Sequence, residues 1–251
     1  RYVDAAARAA DDIFEHQMRD KDRLLRARRG DSTTDVAFLT DYACMIEASI
    51  ELYEATFDRA WLDRAILLNR ALLRRYYDVS SGALFFTPDD HEALITRAQM
   101  SRDSATPSGA STELMNLLRL STMTGDTHLR EVADRLVDAI GPEALNAPGA
   151  SERFLQGVEF ARVGPTEIAL IGDPAAPGAQ ALVSAARSVW TPNRVIMLLD
   201  PGKPDAAPKS PLLEARTLVA GAPAAYICRN YSCQRPVTTA DDLIAQLRRT
   251  K

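Results

Sequence analysis

A chain of 251 residues with 46% hydrophobic and 25% charged side chains can bury a sizeable core, which excludes disorder as its default state. A net charge of −4 leaves no basic footprint for nucleic acid. The longest apolar runs, such as Ala65–Leu68 and Val195–Leu199, fall far short of the roughly 20 residues that a membrane span needs, so neither nucleic acid nor a membrane is expected as a partner.

The first 18 residues place Val3, Ala6, Ala10, Ile13 and Phe14 on one helical stripe, with no apolar signal-peptide core. The chain has no initiator Met, and the expectation is that a longer protein precedes it. The run Arg23, Arg26, Arg28, Arg29 reads as a solvated strand face. Residues 35–56 form a clearer helix, spacing Leu39, Tyr42, Ile46, Ile50 and Tyr53 by threes and fours, with Cys44 expected to be buried in it. Asp58 is an N-cap for the next helix, which carries Trp61, Ala65, Leu68, Leu72 and Tyr76. After a long connector, Pro107 suits the first position of a helix carrying Leu114, Leu117, Leu118 and Ser121. Gly125 ends it, and Asp126 caps a helix with Leu129, Val132, Leu136 and Ile140.

The connectors alternate in length. Thr56–Asp58 and Thr124–Asp126 are tight joints, 68 residues apart, whereas 19–34, 78–106 and 141–150 are long. In a stack of antiparallel helices the tight joints fall at one end and the long connectors at the other. Long connectors on a rigid scaffold are where binding and catalytic groups gather. From about Gly164 the pattern changes to short apolar runs, Glu167–Asp173 and Arg194–Asp200, around a helix over 179–189. That is a βαβ unit with buried parallel strands. A third strand, Ala224–Cys228, and a last helix, Asp241–Arg248, complete it. The domain reading is a helical-hairpin region over 1–163 and a small α/β region over 164–251.

The long-connector end supplies the candidate catalytic residues Asp41, His91 and Asp103, and the candidate substrate-binding residues Tyr42, Arg97, Arg102 and Ser108. Asp41 serves the helix dipole equally well, and Tyr42 falls on the core stripe. His91, preceded by two aspartates at the tip of a hairpin between 84–87 and 94–97, is either a general base or a polar turn. Arg97, Arg102, Asp103 and Ser108 precede or open the helix after Pro107, where N–H groups can meet an anion or a sugar hydroxyl. Cys228 and Cys233 read first as free thiols, next as a local disulfide, and last as metal ligands, because four zinc ligands cannot be assembled nearby. No metal and no cofactor is expected. The low, odd cysteine count favours a reducing, cytoplasmic setting. Asp173-Pro and Asp200-Pro read as turns after strands.

Several stretches together resemble a known family: Thr40–Ala43, Tyr53–Asp58, Leu84–Thr87, Asp90–Leu94 with Arg97, Asp103–Ser111, and Cys228–Pro236. In order and across nearly the whole chain they are similar to the spermatogenesis-associated protein 20 family, which includes the bacterial YyaL-like proteins. The resemblance implies an N-terminal thioredoxin-like domain followed by an (α/α)6 toroid similar to six-hairpin glycosidases and sugar epimerases. This chain would then be a C-terminal portion holding about three of the six hairpins, mainly α, with a small α/β unit. Ser104 and Ala110 depart from the Gly and Asn usual in the family beside Pro107-Ser-Gly. The implied function is carbohydrate handling, epimerase- or glycosidase-like, inactive in this fragment alone. The alternative is a non-catalytic helical scaffold docking the thioredoxin-like domain or another protein. The partners that follow are a carbohydrate ligand, the missing N-terminal half or thioredoxin-like domain, and a second copy through self-association.

Overall fold

The computed structural model describes residues 1–30, 32–92, 95–230 and 232–249. The protein is mainly helical, with a small mixed sheet. Helix α1 (Tyr2–His16) leads into three short strands, β1 (Met18–Arg19), β2 (Arg23–Arg29) and β3 (Ser32–Val36). These pair antiparallel in the order β1-β2-β3. Of the α1 stripe only Ala10, Ile13 and Phe14 reach the core, where Phe14 meets Trp61 at 6.5 Å between ring centres. Val3 is exposed.

Helices α2 (Leu39–Thr56) and α3 (Arg59–Tyr76) form the first hairpin. Every residue expected on their stripes is buried. Phe57 turns the chain between them in the left-handed conformation, and the Asp58 carboxylate accepts the Ala60 N–H at 3.0 Å. Cys44 is exposed, contrary to expectation: two residues from both Tyr42 and Ile46, it points away from their stripe. Helices α4 (Gly109–Thr124) and α5 (Thr127–Asn146) form the second hairpin. Its joint is Gly125, at φ 74°, followed by Asp126, which accepts the His128 N–H at 2.9 Å. Helix α4 starts at Gly109 under a Ser108 cap, so Pro107 precedes the cap instead of opening the helix. Helix α5 runs on through Pro142 to Asn146, which shortens the expected connector. Helix α6 (Glu152–Val163), in a segment given no helical periodicity above, then packs against α4.

Helices α2, α4 and α6 start at the same end. The position of a Cβ on Gly109 lies 2.8 Å from the Thr40 nitrogen, so the first turns of α2 and α4 touch. The first turn of α6 shares Asp103 with that of α4. At the opposite end, Arg59 and Asp63 of α3 border one cleft with Thr124 and Asp126. The tight joints and the long connectors thus segregate as the alternation of lengths predicts.

Among the described residues no strand pairing forms the expected hairpin around His91. Leu84 bridges back to Tyr77 at the end of α3, and the two segments are joined by the Phe86 N–H donating to the Ala98 carbonyl at 2.8 Å and by Arg97 donating to the Thr87 carbonyl at 2.6 Å. Part of the expected second strand, Leu94, lies outside the described residues.

In the C-terminal part, β4 (Thr166–Ile171) and β5 (Arg194–Leu199) are parallel neighbours connected through α7 (Pro177–Ser188). Strand β6 (Ala224–Arg229) pairs antiparallel on the other side of β4, and β7 (Ser232–Cys233) closes the order β5-β4-β6-β7. One face of the sheet, through Ala169, Ile171, Val195 and Met197, joins the core of the helix stack. The other face, through Ile168, Leu170, Ile196 and Leu198, is covered by α7 and α8 (Ala240–Arg249). Burial on both faces is why these strands read as unbroken apolar runs. Cys228 and Cys233 are joined as a disulfide, which corrects the reading of them as free thiols. Among the described residues no helix is long and apolar enough to cross a membrane, and no group of three His, Cys, Asp or Glu side chains is gathered as for a metal ion.

Candidate functional site

The long-connector end holds two clusters. In the first, the Asp41 carboxylate accepts the Phe38 N–H at 2.8 Å, closing the first turn of α2, with Arg26 4.0 Å away. The Arg26 guanidinium lies 4.3 Å from the centre of the Phe38 ring, and the His91 ring is 6.2 Å from it. Asp41 and His91 therefore gather around one phenylalanine. The Nδ1 atom of His91 is buried and has no hydrogen-bond partner among the described residues. Its neighbour Asp90 is committed elsewhere: Arg23 donates to its Oδ1 at 2.8 Å, and that bond holds the carboxyl below the usual range. Tyr42 is fully buried, and its hydroxyl accepts the Leu24 N–H at 2.9 Å while donating to the Asp22 carbonyl at 3.0 Å. Arg97 donates to the carbonyls of Arg75 (3.1 Å) and Thr87 (2.6 Å) and lies over Phe85.

The second cluster caps α4 and α6. The two oxygens of Asp103 accept the N–H groups of Ser108 and Arg153, each at 2.8 Å. The Ser108 hydroxyl accepts the Ser111 N–H at 3.0 Å, and Arg102 donates to Glu143 at 2.7 Å. Of the seven residues selected from the sequence, six are occupied in caps, loop bonds and ion pairs. Asp173 and Asp200 behave as the turn reading requires, accepting the N–H groups of Ala175 and Gly202 at 2.9 Å.

A different place sets an exposed aromatic ring beside a row of ion pairs. A groove of about 660 Å³ runs between the flank of α2, the helices α4 and α6, and the loop from α7 to β5. Its floor is a buried ion pair: Arg119 of α4 reaches Glu54 of α2 at 3.3 Å, with side chains only 8% and 9% exposed. Arg119 also donates to Glu51 at 2.6 Å, whose carboxylate is mostly in solvent. Burial pushes the Glu54 carboxyl up, and Arg119 opposes the push. Burial works to lower the Arg119 guanidinium, but the two glutamates outweigh it and raise it. Glu54 also accepts the Ile196 N–H at 3.2 Å, tying the helix stack to β5. Further along the rim, Arg153 pairs with Glu47 and donates to Gln156 at 3.0 Å. Over this groove Trp190 stands 77% exposed. An indole face beside carboxylate acceptors and guanidinium donors matches a ligand with an apolar face and hydroxylated edges.

Sequence reasoning passed over this groove, although a signal was present. Glu47, Glu51 and Glu54 recur at helical spacing on a flank of α2, each one position after a residue of its apolar stripe. Trp190, which lines the same groove from more than 130 positions further along the chain, carries no such signal.

No family model matches the chain. Over 209 residues, 82% of its length, the chain is 30% identical to human spermatogenesis-associated protein 20, and it covers 26% of that relative. The mouse protein of the same name is 29% identical over the same extent. An uncharacterised protein of Caenorhabditis elegans is 25% identical over 210 residues. The chain thus spans about a quarter of the length of the curated relatives it matches. The similarity extends across most of the sequence, so over that extent the chain is similar to spermatogenesis-associated protein 20.

Proposed function

We propose that the chain supplies a carbohydrate-binding face to a longer protein of this family, as part of an α/α toroid, and that it does not convert sugars by itself. The single observation that carries the reading is Trp190, exposed over a groove whose rim carries Glu47, Glu51 and Arg153. A pyranose stacks its C–H face on an indole while its hydroxyls reach carboxylates and guanidinium groups. Hydrolysis needs two carboxyls flanking the scissile bond, one of them held protonated. Here burial raises Glu54, but Arg119 and the Ile196 N–H already occupy it, so the groove is equipped for binding. The parallel row α2, α4, α6 with α3 and α5 behind it supports the toroid reading, since inner and outer helices alternate in such rings.

The caps at the other end favour a second role there. With Asp41, Asp103 and Ser108 spent on helix starts, that end is a rigid platform suited to docking the thioredoxin-like domain.

A fluorescence titration with a panel of mono- and disaccharides tests the binding face. At least one sugar should change the Trp190 emission at millimolar concentration, and Trp190→Ala should abolish the change while Trp61, buried in the core, stays silent. No response to any sugar would remove the proposal. Robust sugar turnover by the isolated chain, as a monomer in light scattering, would overturn the reading of it as part of a ring.

A further inference from the structure

Cys228, buried at the end of β6, and Cys233, exposed on β7, are direct cross-strand partners and form a disulfide. The bond spans five positions and joins strands already hydrogen-bonded to each other. Loops this short gain least from cross-linking, so a structural staple is poorly placed here. The pair lies on a cavity of about 660 Å³ between the sheet and the ends of α4 and α6.

One cation is brought to both sulfurs. The Arg216 Nη2 atom stands 3.1 Å from the Cys233 sulfur and 3.4 Å from that of Cys228. It is held there by stacking 5.1 Å from the Tyr226 ring, whose hydroxyl is fixed in turn by donating to the Thr217 carbonyl at 2.8 Å. A disulfide sulfur is neutral and a weak acceptor, so a guanidinium gains little from it. The same contact to a thiolate is a charge-assisted hydrogen bond. The geometry is matched to the reduced pair more closely than to the oxidised one.

We propose that Cys228 and Cys233 are a reversible thiol–disulfide exchange centre whose substrate is a peptide or protein dithiol entering this cavity, with Arg216 as the residue that stabilises the released thiolate. A thiolate of the substrate attacks the exposed Cys233 sulfur. A new S–S bond forms there, the Cys233–Cys228 bond breaks, and its electron pair leaves on Cys228 as a thiolate beside Arg216. The second thiolate of the substrate then attacks its own sulfur in the mixed disulfide and expels Cys233. Two electrons and two protons pass from the substrate, which leaves as a disulfide, to the cysteine pair. Glu167, the cross-strand neighbour of Cys228 on β4, faces the same cavity, and burial holds its carboxyl above the ordinary range. Arg216 works against that shift.

The test is equilibration of the full chain in glutathione redox buffers at pH 7, with thiol trapping and mass spectrometry, while circular dichroism monitors the fold. The pair should open and close with the fold intact, and Cys228→Ser should accumulate glutathione on Cys233. Arg216→Gln should slow reduction by dithiothreitol about tenfold and shift the midpoint towards the disulfide, and Arg216→Lys should recover most of the rate. Reduction only on unfolding would overturn the proposal. So would a folded Arg216→Gln protein with unchanged rate and midpoint.

Discussion

The carboxylate of Asp103 accepts the backbone N–H of Arg153, fifty positions further along the chain, at 2.8 Å. Its other oxygen takes the Ser108 N–H at the same distance, so one side chain satisfies donors at the starts of two helices. Arg153 in turn extends to Glu47 at the groove. The fastening of α4 to α6 is thereby continuous with the alignment of the groove's rim.

If Asp103 is a fastening and not a catalytic group, its removal costs stability. Asp103→Ala should lower the unfolding free energy by about 2–3 kcal/mol, roughly one capping bond at each helix. Asp103→Asn keeps one oxygen acceptor and should fall between the wild type and the alanine variant. Urea denaturation measures both. An unchanged midpoint in the alanine variant would return Asp103 to the list of residues free for chemistry.

Glu113, the one carboxyl on α4, is fully buried, and its partners are amides: Asn69 donates to it at 2.6 Å and Asn116 at 3.0 Å. Burial pushes its pKa from 4.5 to about 8, and the two amide hydrogen bonds offset only part of the push. The folded protein therefore holds this proton more tightly than the unfolded chain does. Its contribution is most favourable below about pH 4.5, declines as the pH rises, and levels off above about pH 8. Glu113→Gln removes the titration, so the variant should lose the decline attributable to this site between pH 5 and 8. Denaturation midpoints across that range decide the matter, and parallel profiles for the two proteins would show that Glu113 does not titrate as its burial requires.

The helical hairpins were legible because their information is local. Asp58, Gly125 and Asp126 announce the joints by residue type alone, and the stripe from Leu39 to Tyr53 follows a single period. Helix α6 was not, since its buried residues Phe154, Gly157 and Phe160 are sparse and Gly157 is chosen for contact, not for helix propensity. The candidate residues at the long-connector end were placed at the correct end, yet capping and catalysis draw on the same residue types, and only the folded arrangement separates them. The groove depends on the loop that carries Trp190 facing α2 across it, and the Arg216 contact on a loop meeting a strand hairpin. Neither encounter leaves a periodic trace.

The closeness of α2 to α4 offers the sharpest check on the packing. A Cβ on Gly109 would stand 2.8 Å from the Thr40 nitrogen and 3.0 Å from its Cα, both backbone atoms that cannot move without shifting the first turn of α2. At Gly157 the obstacle is a side chain instead, with Leu114 Cδ2 at 2.7 Å and Cγ at 2.8 Å. Alanine there also gains roughly 1 kcal/mol of helix propensity inside α6, whereas at the first residue of α4 the gain is small. Gly109→Ala should therefore cost about 2–3 kcal/mol through overpacking, and Gly157→Ala within about 1 kcal/mol of neutral as Leu114 adjusts. The Gly109 variant should also loosen the Phe38–Asp41 turn, seen as faster hydrogen exchange at the Phe38 amide, which donates to Asp41 at 2.8 Å. Equal and small effects at both glycines would mean that the first turns of α2 and α4 do not meet, and the shared end of the helix row would fall with them.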